Sequence, residues 1–219
     1  MKTALIIGST GLIGSQLLEI LLESAAYDKV IAFVKRDTGK THAKLTQHII
    51  DFDRPESYQN LVAGDDFFCA IGTTINKAGN KENFRKVDFG YPQQFATFAL
   101  KNNIKQFLII SSIGADKAAG SFYLKTKGEI EDFLKQSSFA SISILRPSLL
   151  LGNRTEYRMG EKIGAFFMML LSFLLVGGLK KYKPIESKSV AKALFTIAQK
   201  NENGFRIYES DEIQQIGNY

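Results

Sequence analysis

Gly8-Ser9-Thr10-Gly11-Leu12-Ile13-Gly14 follows directly on the apolar run Thr3–Ile7 and opens the amphipathic run Leu12–Glu23. The first run reads as a buried parallel strand, the second as a helix. Gly8 permits a tight turn. Gly11 removes a side chain where a ligand must approach the backbone, and Gly14 lets the helix pack close to the sheet. The helix start then offers free N–H groups and the positive end of a dipole. Strand, glycine turn and helix in this order form a pyrophosphate site for a dinucleotide, with Ser9, Thr10, Leu12 and Ile13 completing the loop.

Outward from that turn, strands and helices alternate with short connections. Strands are predicted at Thr3–Ile7, Val30–Val34, Leu45–Ile50, Phe67–Ile71, Gln106–Ser111, Ala140–Leu145 and Phe205–Tyr208. Helices are predicted at Leu12–Glu23, a short one at Glu56–Leu61, a long one at Lys81–Asn102, then Tyr123–Gln136, Lys162–Val176 and Ser187–Gln199. The expected fold is α/β: a doubly wound parallel sheet (Rossmann fold) of about seven strands with helices on both faces. No repeat, linker or shift in composition divides residues 1–219, so a single NAD(P)-binding domain is expected, with a small substrate-facing lobe from about 147–186.

The bulk numbers bound the function. With two histidines and the lone Cys69, no metal-ligand cluster and no disulfide framework is visible. The formal charge of +6 fits an anionic cofactor; the basic residues are spread out, with Lys180-Lys181-Tyr182-Lys183 as the compact cluster. No stacking aromatic motif interleaves them, so no nucleic-acid partner is expected. Nothing at the N-terminus resembles a signal peptide, and a cytoplasmic protein is expected. Ile163–Leu179 runs 17 residues without a charge. That is short of the ~20 apolar residues of a membrane span. A helix buried on the sheet or in a homodimer interface is the ordinary reading, and a membrane-contacting surface the alternative.

The second strand ends at Val34-Lys35-Arg36-Asp37. An acidic residue here accepts from the ribose hydroxyls of NAD, whereas Lys or Arg pairs with the 2′-phosphate of NADP. Lys35 and Arg36 come first, which favours NADP(H); Asp37 keeps NAD(H) open. After the third strand, Asp51 can accept from an adenine amine while the backbone at Phe52 meets the ring. After the fourth, Gly72, Thr73 and Thr74 leave room for ribose and phosphate.

Tyr123 and Lys127 stand four apart, on one face of a helix. A phenol with pKa ~10 is a poor proton donor or acceptor near neutrality. A neighbouring ammonium favours the phenolate, and a nearby hydroxyl can bind a carbonyl oxygen. Ser111-Ser112 supplies that hydroxyl at the C-terminal end of the fifth strand, where open α/β sheets place ligands.

Together the glycine turn, the serine pair, Tyr123 with Lys127, and Arg146-Pro147 resemble the short-chain dehydrogenase/reductase superfamily over essentially the whole chain. Cys69–Gly79 (CAIGTTINKAG), Ser111–Lys117 (SSIGADK), Tyr123–Glu129 (YLKTKGE) and Arg146–Glu161 resemble, within its atypical branch, the Tat-interacting-protein oxidoreductase-like family. The resemblance implies NADPH binding. It implies Tyr123 as general acid, Lys127 as ribose ligand, Ser112 (Ser111 in reserve) orienting the carbonyl, and Pro147 beside the nicotinamide. One departure stands out: many members carry an asparagine in the long middle helix that supports a proton-relay water, and the aligned residue here is Asp88.

Arg154 and Arg158 fall where this fold builds its substrate pocket. They can bind an anionic substrate group or the cofactor phosphate, or join Glu156 and Glu161 in a salt-bridge network that shapes the loop. Two functions follow. The first is an NADP-dependent oxidoreductase acting on a small carbonyl or alcohol substrate. The second is a non-catalytic NADPH-binding sensor or regulator that works through protein contacts.

Overall fold

The structure, a computed structural model, describes residues 2–152 and 177–218. Its strands are β1 (Thr3–Ile7), β2 (Lys29–Val34), β3 (Leu45–Ile49), β4 (Asp66–Cys69), β5 (Gln106–Ile110), β6 (Ser141–Arg146), β7 (Leu150–Leu151), β8 (Ile185–Glu186) and β9 (Gly204–Glu209). Seven of them form one sheet in the order β3-β2-β1-β4-β5-β6-β9, every pair parallel. β7 and β8 form a separate parallel pair. The helices are α1 (Leu12–Glu23), α2 (Ile75–Ala78), α3 (Lys81–Arg85), α4 (Tyr91–Lys101), α5 (Phe122–Lys135), α6 (Ser187–Lys200) and α7 (Ser210–Gly217).

Alternation along each apolar strand divides the core in two. Ala4, Ile6, Val30, Ala32, Phe68 and Leu108 face α1, α6 and α7. Leu5, Ile7, Ile31, Phe33, Phe67 and Phe107 face α4 and α5. Strands covered on both faces need no polar positions, so the central β1, β2, β4 and β5 read as nearly continuous apolar runs, while β3, β6 and β9 carry polar residues. The chain winds outward from β1 to β3, then returns to lay β4 on the other side of β1. The order reverses there, and a crevice opens beyond the strand ends.

The long helix expected over Lys81–Asn102 is instead three pieces: α3, a π-helical turn over Lys86–Gly90, and α4. Pro92 has no N–H to give the carbonyl four residues back. The Tyr91 amide reaches back five residues to the Lys86 carbonyl, which opens the turn that carries Asp88. The helix expected at Glu56–Leu61 is two 3-10 turns, started at Pro55. α2, α7 and the β7–β8 pair answer no expectation. The expected helix Lys162–Val176 and the middle of the expected lobe lie outside the described residues.

Candidate functional site

The glycine turn is built as its spacing requires. Gly8 has φ +81°, and a Cβ on it would lie 2.4 Å from the carbonyl carbon of Ala70. A Cβ on Gly14 would lie 2.0 Å from the Gly8 carbonyl oxygen. Only glycine lets α1 press against the ends of β1 and β4. The Gly11 amide donates to the Gly8 carbonyl at 2.9 Å, and among the described residues no side chain caps the helix. Gly11, Leu12 and Ile13 line the crevice. Ser9 is buried, and its Oγ has no hydrogen-bond partner among the described residues. Thr10 is exposed. An open helix N-terminus and a cradle that a Cβ would fill suit a dinucleotide pyrophosphate.

The crevice is a cleft of about 390 Å³ at the switch point. Its walls bring together the glycine turn, Gly72 and Thr73 after β4, Ser111 and Ser112 after β5, Tyr123 and Lys127 on α5, and Pro147 after β6. Tyr123 is held from behind by the fully buried Phe84, their ring centroids 5.7 Å apart. Lys127 is 5% exposed and Asp88 1%. The Lys127 Nζ lies 2.8 Å from Asp88 Oδ1, while Asp88 Oδ2 accepts from the Thr73 amide at 2.9 Å. Burial opposes the lysine charge. The Asp88 charge and hydrogen bond, with the Tyr123 phenol, outweigh it and hold the ammonium above the ordinary lysine range. The neighbouring Cys69 thiol, wholly buried, is pushed up to about 12 by burial. It stays protonated and inert near neutrality.

The two serines part company. The Ser111 hydroxyl donates to Glu131, whose carboxylate is gripped by Arg146 at 3.0 and 2.5 Å. Arg146 also reaches the Ala115 carbonyl at 3.0 Å and Glu209 at 3.3 Å. Ser111 thus belongs to an ion cluster that braces β5, α5 and β6. Among the described residues the Ser112 hydroxyl makes a 3.4 Å contact with the adjacent Ile113 carbonyl. Thr74 spends its hydroxyl on the Lys77 amide at 3.1 Å, capping α2.

A second recess of about 380 Å³ lies past the ends of β2 and β3, lined by Lys35, Ile49, Ile50, Asp51, Phe52, Asp53 and Tyr91. Phe52 is buried in a cluster with Tyr58, Tyr91 and Phe95 and forms its apolar floor. The Lys35 ammonium lies 5.8 Å from the Phe52 ring centroid and 5.6 Å from that of Tyr91. Asp51 Oδ1 accepts from the Asp53 amide at 3.0 Å. Asp53 binds Lys86 Nζ at 2.7 Å and the Tyr91 hydroxyl at 2.9 Å, and these hydrogen bonds hold its carboxyl below the usual range. Arg36 is exposed at the end of β2. The Asp37 carboxylate accepts from the Gly39 amide at 2.9 Å and so serves its own turn.

Arg154, Arg158 and the apolar stretch from Ile163 to Val176 lie outside the described residues. Sequence reasoning singled out Asp88 only as the departure from a relay asparagine, included Asp53 only within the Asp51-Phe52-Asp53 stretch, and did not assign Tyr91 or Phe84 to the site. Pro92, four residues after Asp88, was the signal for the turn that carries it. Phe84 and Tyr91 flank the same turn.

Residues 8–200 match a family described as NAD(P)H-binding. A Candida albicans protein named "Protein FMP52, mitochondrial" is 32% identical over 205 residues, covering 91% of this chain and 89% of its own length. The Rattus norvegicus protein named HTATIP2 is 34% identical over 170 residues, covering 76% and 70%. Among solved structures, the Bordetella bronchiseptica enzyme WbmH in complex with NAD+ superposes with a TM-score of 0.71 at 20% identity. The match covers 100% of this chain and 79% of that one. The yeast relatives named mitochondrial overturn the cytoplasmic expectation. That expectation rested on finding no secretory signal peptide, a feature that does not bear on delivery to mitochondria, which receptors read from a different kind of signal.

Proposed function

Since the chain belongs to the NAD(P)H-binding family, within the atypical short-chain dehydrogenase/reductases, we propose that it is an NADP(H)-dependent oxidoreductase acting on a small carbonyl or alcohol substrate. The observation that carries this reading is the single cleft that gathers the glycine turn, Ser112, Tyr123, Lys127 and Pro147. When bound, the cofactor supplies or accepts the hydride. The chain's own groups handle the oxygen. In the reducing direction the Ser112 hydroxyl orients the carbonyl oxygen, and Tyr123 gives it a proton while the carbon is reduced. Lys127 holds the ribose hydroxyls, and its ammonium stabilises negative charge developing on the phenol oxygen. Pro147 borders the nicotinamide. The open N-terminus of α1 takes the pyrophosphate, and Asp51 and Phe52 receive the adenine.

The preference for NADP rests on Lys35 and Arg36, two cations at the end of β2, while Asp37 is engaged in its turn. The chain has no tryptophan, so calorimetry is the direct assay of cofactor binding. NADPH is expected to bind at least about tenfold tighter than NADH, the difference that one charge-assisted phosphate contact makes. A preference for NADH would sink the NADP assignment, and binding of neither would overturn the functional reading.

A second reading, an NADPH-binding regulator without turnover, draws on Asp88. It replaces the relay asparagine and offsets the lysine charge beside Tyr123. Tyr123→Phe separates the two. It removes turnover if the first holds, and leaves the biological effect intact if the second does.

A further inference from the structure

Three segments meet at one carboxylate. Asp88 sits on the π-helical turn, accepts the Thr73 amide from the loop after β4, and pairs with Lys127 on α5. Turns of this kind interrupt helices at functional sites. Here the break has a local cause, the missing N–H of Pro92, and a local result, since it carries an aspartate to a buried position in the cleft wall. A Cβ on Gly72 would come within 3.4 Å of Asp88 Oδ1 and 3.8 Å of Lys127 Nζ, so the loop backbone closes over the pair. The other titratable groups acting on Lys127 are the Tyr123 phenol on its own helix and the Cys69 thiol on β4. Burial keeps the Cys69 thiol protonated, and neither group is a carboxylate. Asp88 is therefore the lysine's counter-charge, and a buried ammonium without one sheds its proton.

We propose that Asp88 is a positioning residue: its carboxylate ties Lys127 to the Thr73 amide and holds the lysine charged and in place on the cleft wall before any ligand enters. The inference rests on the functional reading above, in which Lys127 is the ribose ligand. In place of a residue that carries a relay water, the turn carries the group that presets the lysine. Asparagine at 88 would keep an acceptor for the Thr73 amide and lose the charge, so it separates charge from scaffold.

The first readout needs no cofactor. In protein labelled with 13C at lysine Cε, with the resonance assigned through Lys127→Met, Lys127 should remain an ammonium above the pH at which the exposed lysines titrate. Asp88→Asn should move its titration below theirs. Lys127 titrating with the exposed lysines in the unsubstituted chain would overturn the proposal, even if Asp88→Asn failed to fold. Asp88→Glu, which keeps the charge, should keep the high titration. The second readout is NADPH calorimetry. Asp88→Asn should weaken binding about tenfold, within the range of coupling inside one network. It should change nothing further in a Lys127→Met background. Independent losses in the two backgrounds would mean that Asp88 acts without Lys127, and would overturn the proposal. An unsubstituted chain that ignores NADPH would sink the functional reading instead, and the lysine titration would then decide the role of Asp88 alone.

Discussion

Ser111 and Ser112 are neighbours with opposite uses. One hydroxyl closes the Glu131–Arg146 cluster and the other stands at the cleft. The cleft position of Ser112 was expected; the use of Ser111 was not legible, because its partner, Glu131, lies on α5, 20 residues away. Tyr123 and Lys127 differ in support as well: the ring leans on Phe84, and the ammonium is fixed by Asp88. Tyr123→Phe is expected to lower turnover by about 10²–10⁴-fold, the range for losing a positioned acid/base. NADPH affinity, by calorimetry, should be little changed. Gly14→Ala tests the turn. Its Cβ would fall 2.0 Å from a backbone oxygen, so α1 must shift. A stability loss of about 1–3 kcal/mol is expected from such overpacking. Urea denaturation would measure it, and weakened NADPH binding should accompany it.

At the level of elements, capping residues and prolines decided what hydrophobic period could not. α1 and α5 read cleanly because their apolar spacing is unbroken. The stretch from Lys81 to Lys101 keeps a helical period throughout, and its break is written only in Pro92. α2 and α3 begin at side-chain caps: Thr74 accepts from the Lys77 amide at 3.1 Å and Asn80 from the Asn83 amide at 2.7 Å. Asn80→Ala should cost about 1 kcal/mol, the usual value of a lost N-cap, read as a lower denaturant midpoint with unchanged slope. α7 starts at a capping box between Glu209 and Glu212. With glutamate at the cap position in place of Ser or Thr, that signal was easy to pass over.

Over the whole molecule, the polar groups inside the core set its response to pH. Tyr27 is fully buried, and its hydroxyl lies 2.5 Å from Asp66, which also binds Lys2 at 2.8 Å and Gln106 at 2.9 Å. Burial, then the charge of Asp66, pushes the Tyr27 phenol far above its ordinary value; burial raises Tyr58 and Tyr91 too. Above about pH 10 the unfolded chain loses these protons while the folded chain keeps them. The unfolded state then binds fewer protons, so stability falls as pH rises. The midpoint of thermal unfolding should therefore be nearly flat between about pH 7 and 9, fall on the acid side as Asp53 and His48 take up protons in the unfolded chain, and drop steeply beyond 10. Tyr27→Phe should start lower, having lost the bond to Asp66, and drop less steeply. Bound cofactor should act in the other direction. NADPH at a hundred times its dissociation constant should add about 2.7 kcal/mol, seen as a raised unfolding midpoint.

The centre of the sheet was readable from the chain alone because strands buried on both faces, such as β1, β2 and β5, are apolar along their length, and a glycine turn that admits a phosphate has few alternatives. β1, β2, the turn after β1, and the helical pairing of Tyr123 with Lys127 are local facts, set by residues close together in sequence. Tertiary structure alone decided how the groups divide their work. Asp88 became the counter-charge of Lys127 because a π-helical turn and α5, 39 residues apart in sequence, meet in space. Lys35 came to lie over Phe52 and Tyr91 because three separate segments converge past the ends of β2 and β3. Burial, charge pairing and desolvation depend on what lies across the cleft, and no window of sequence contains that.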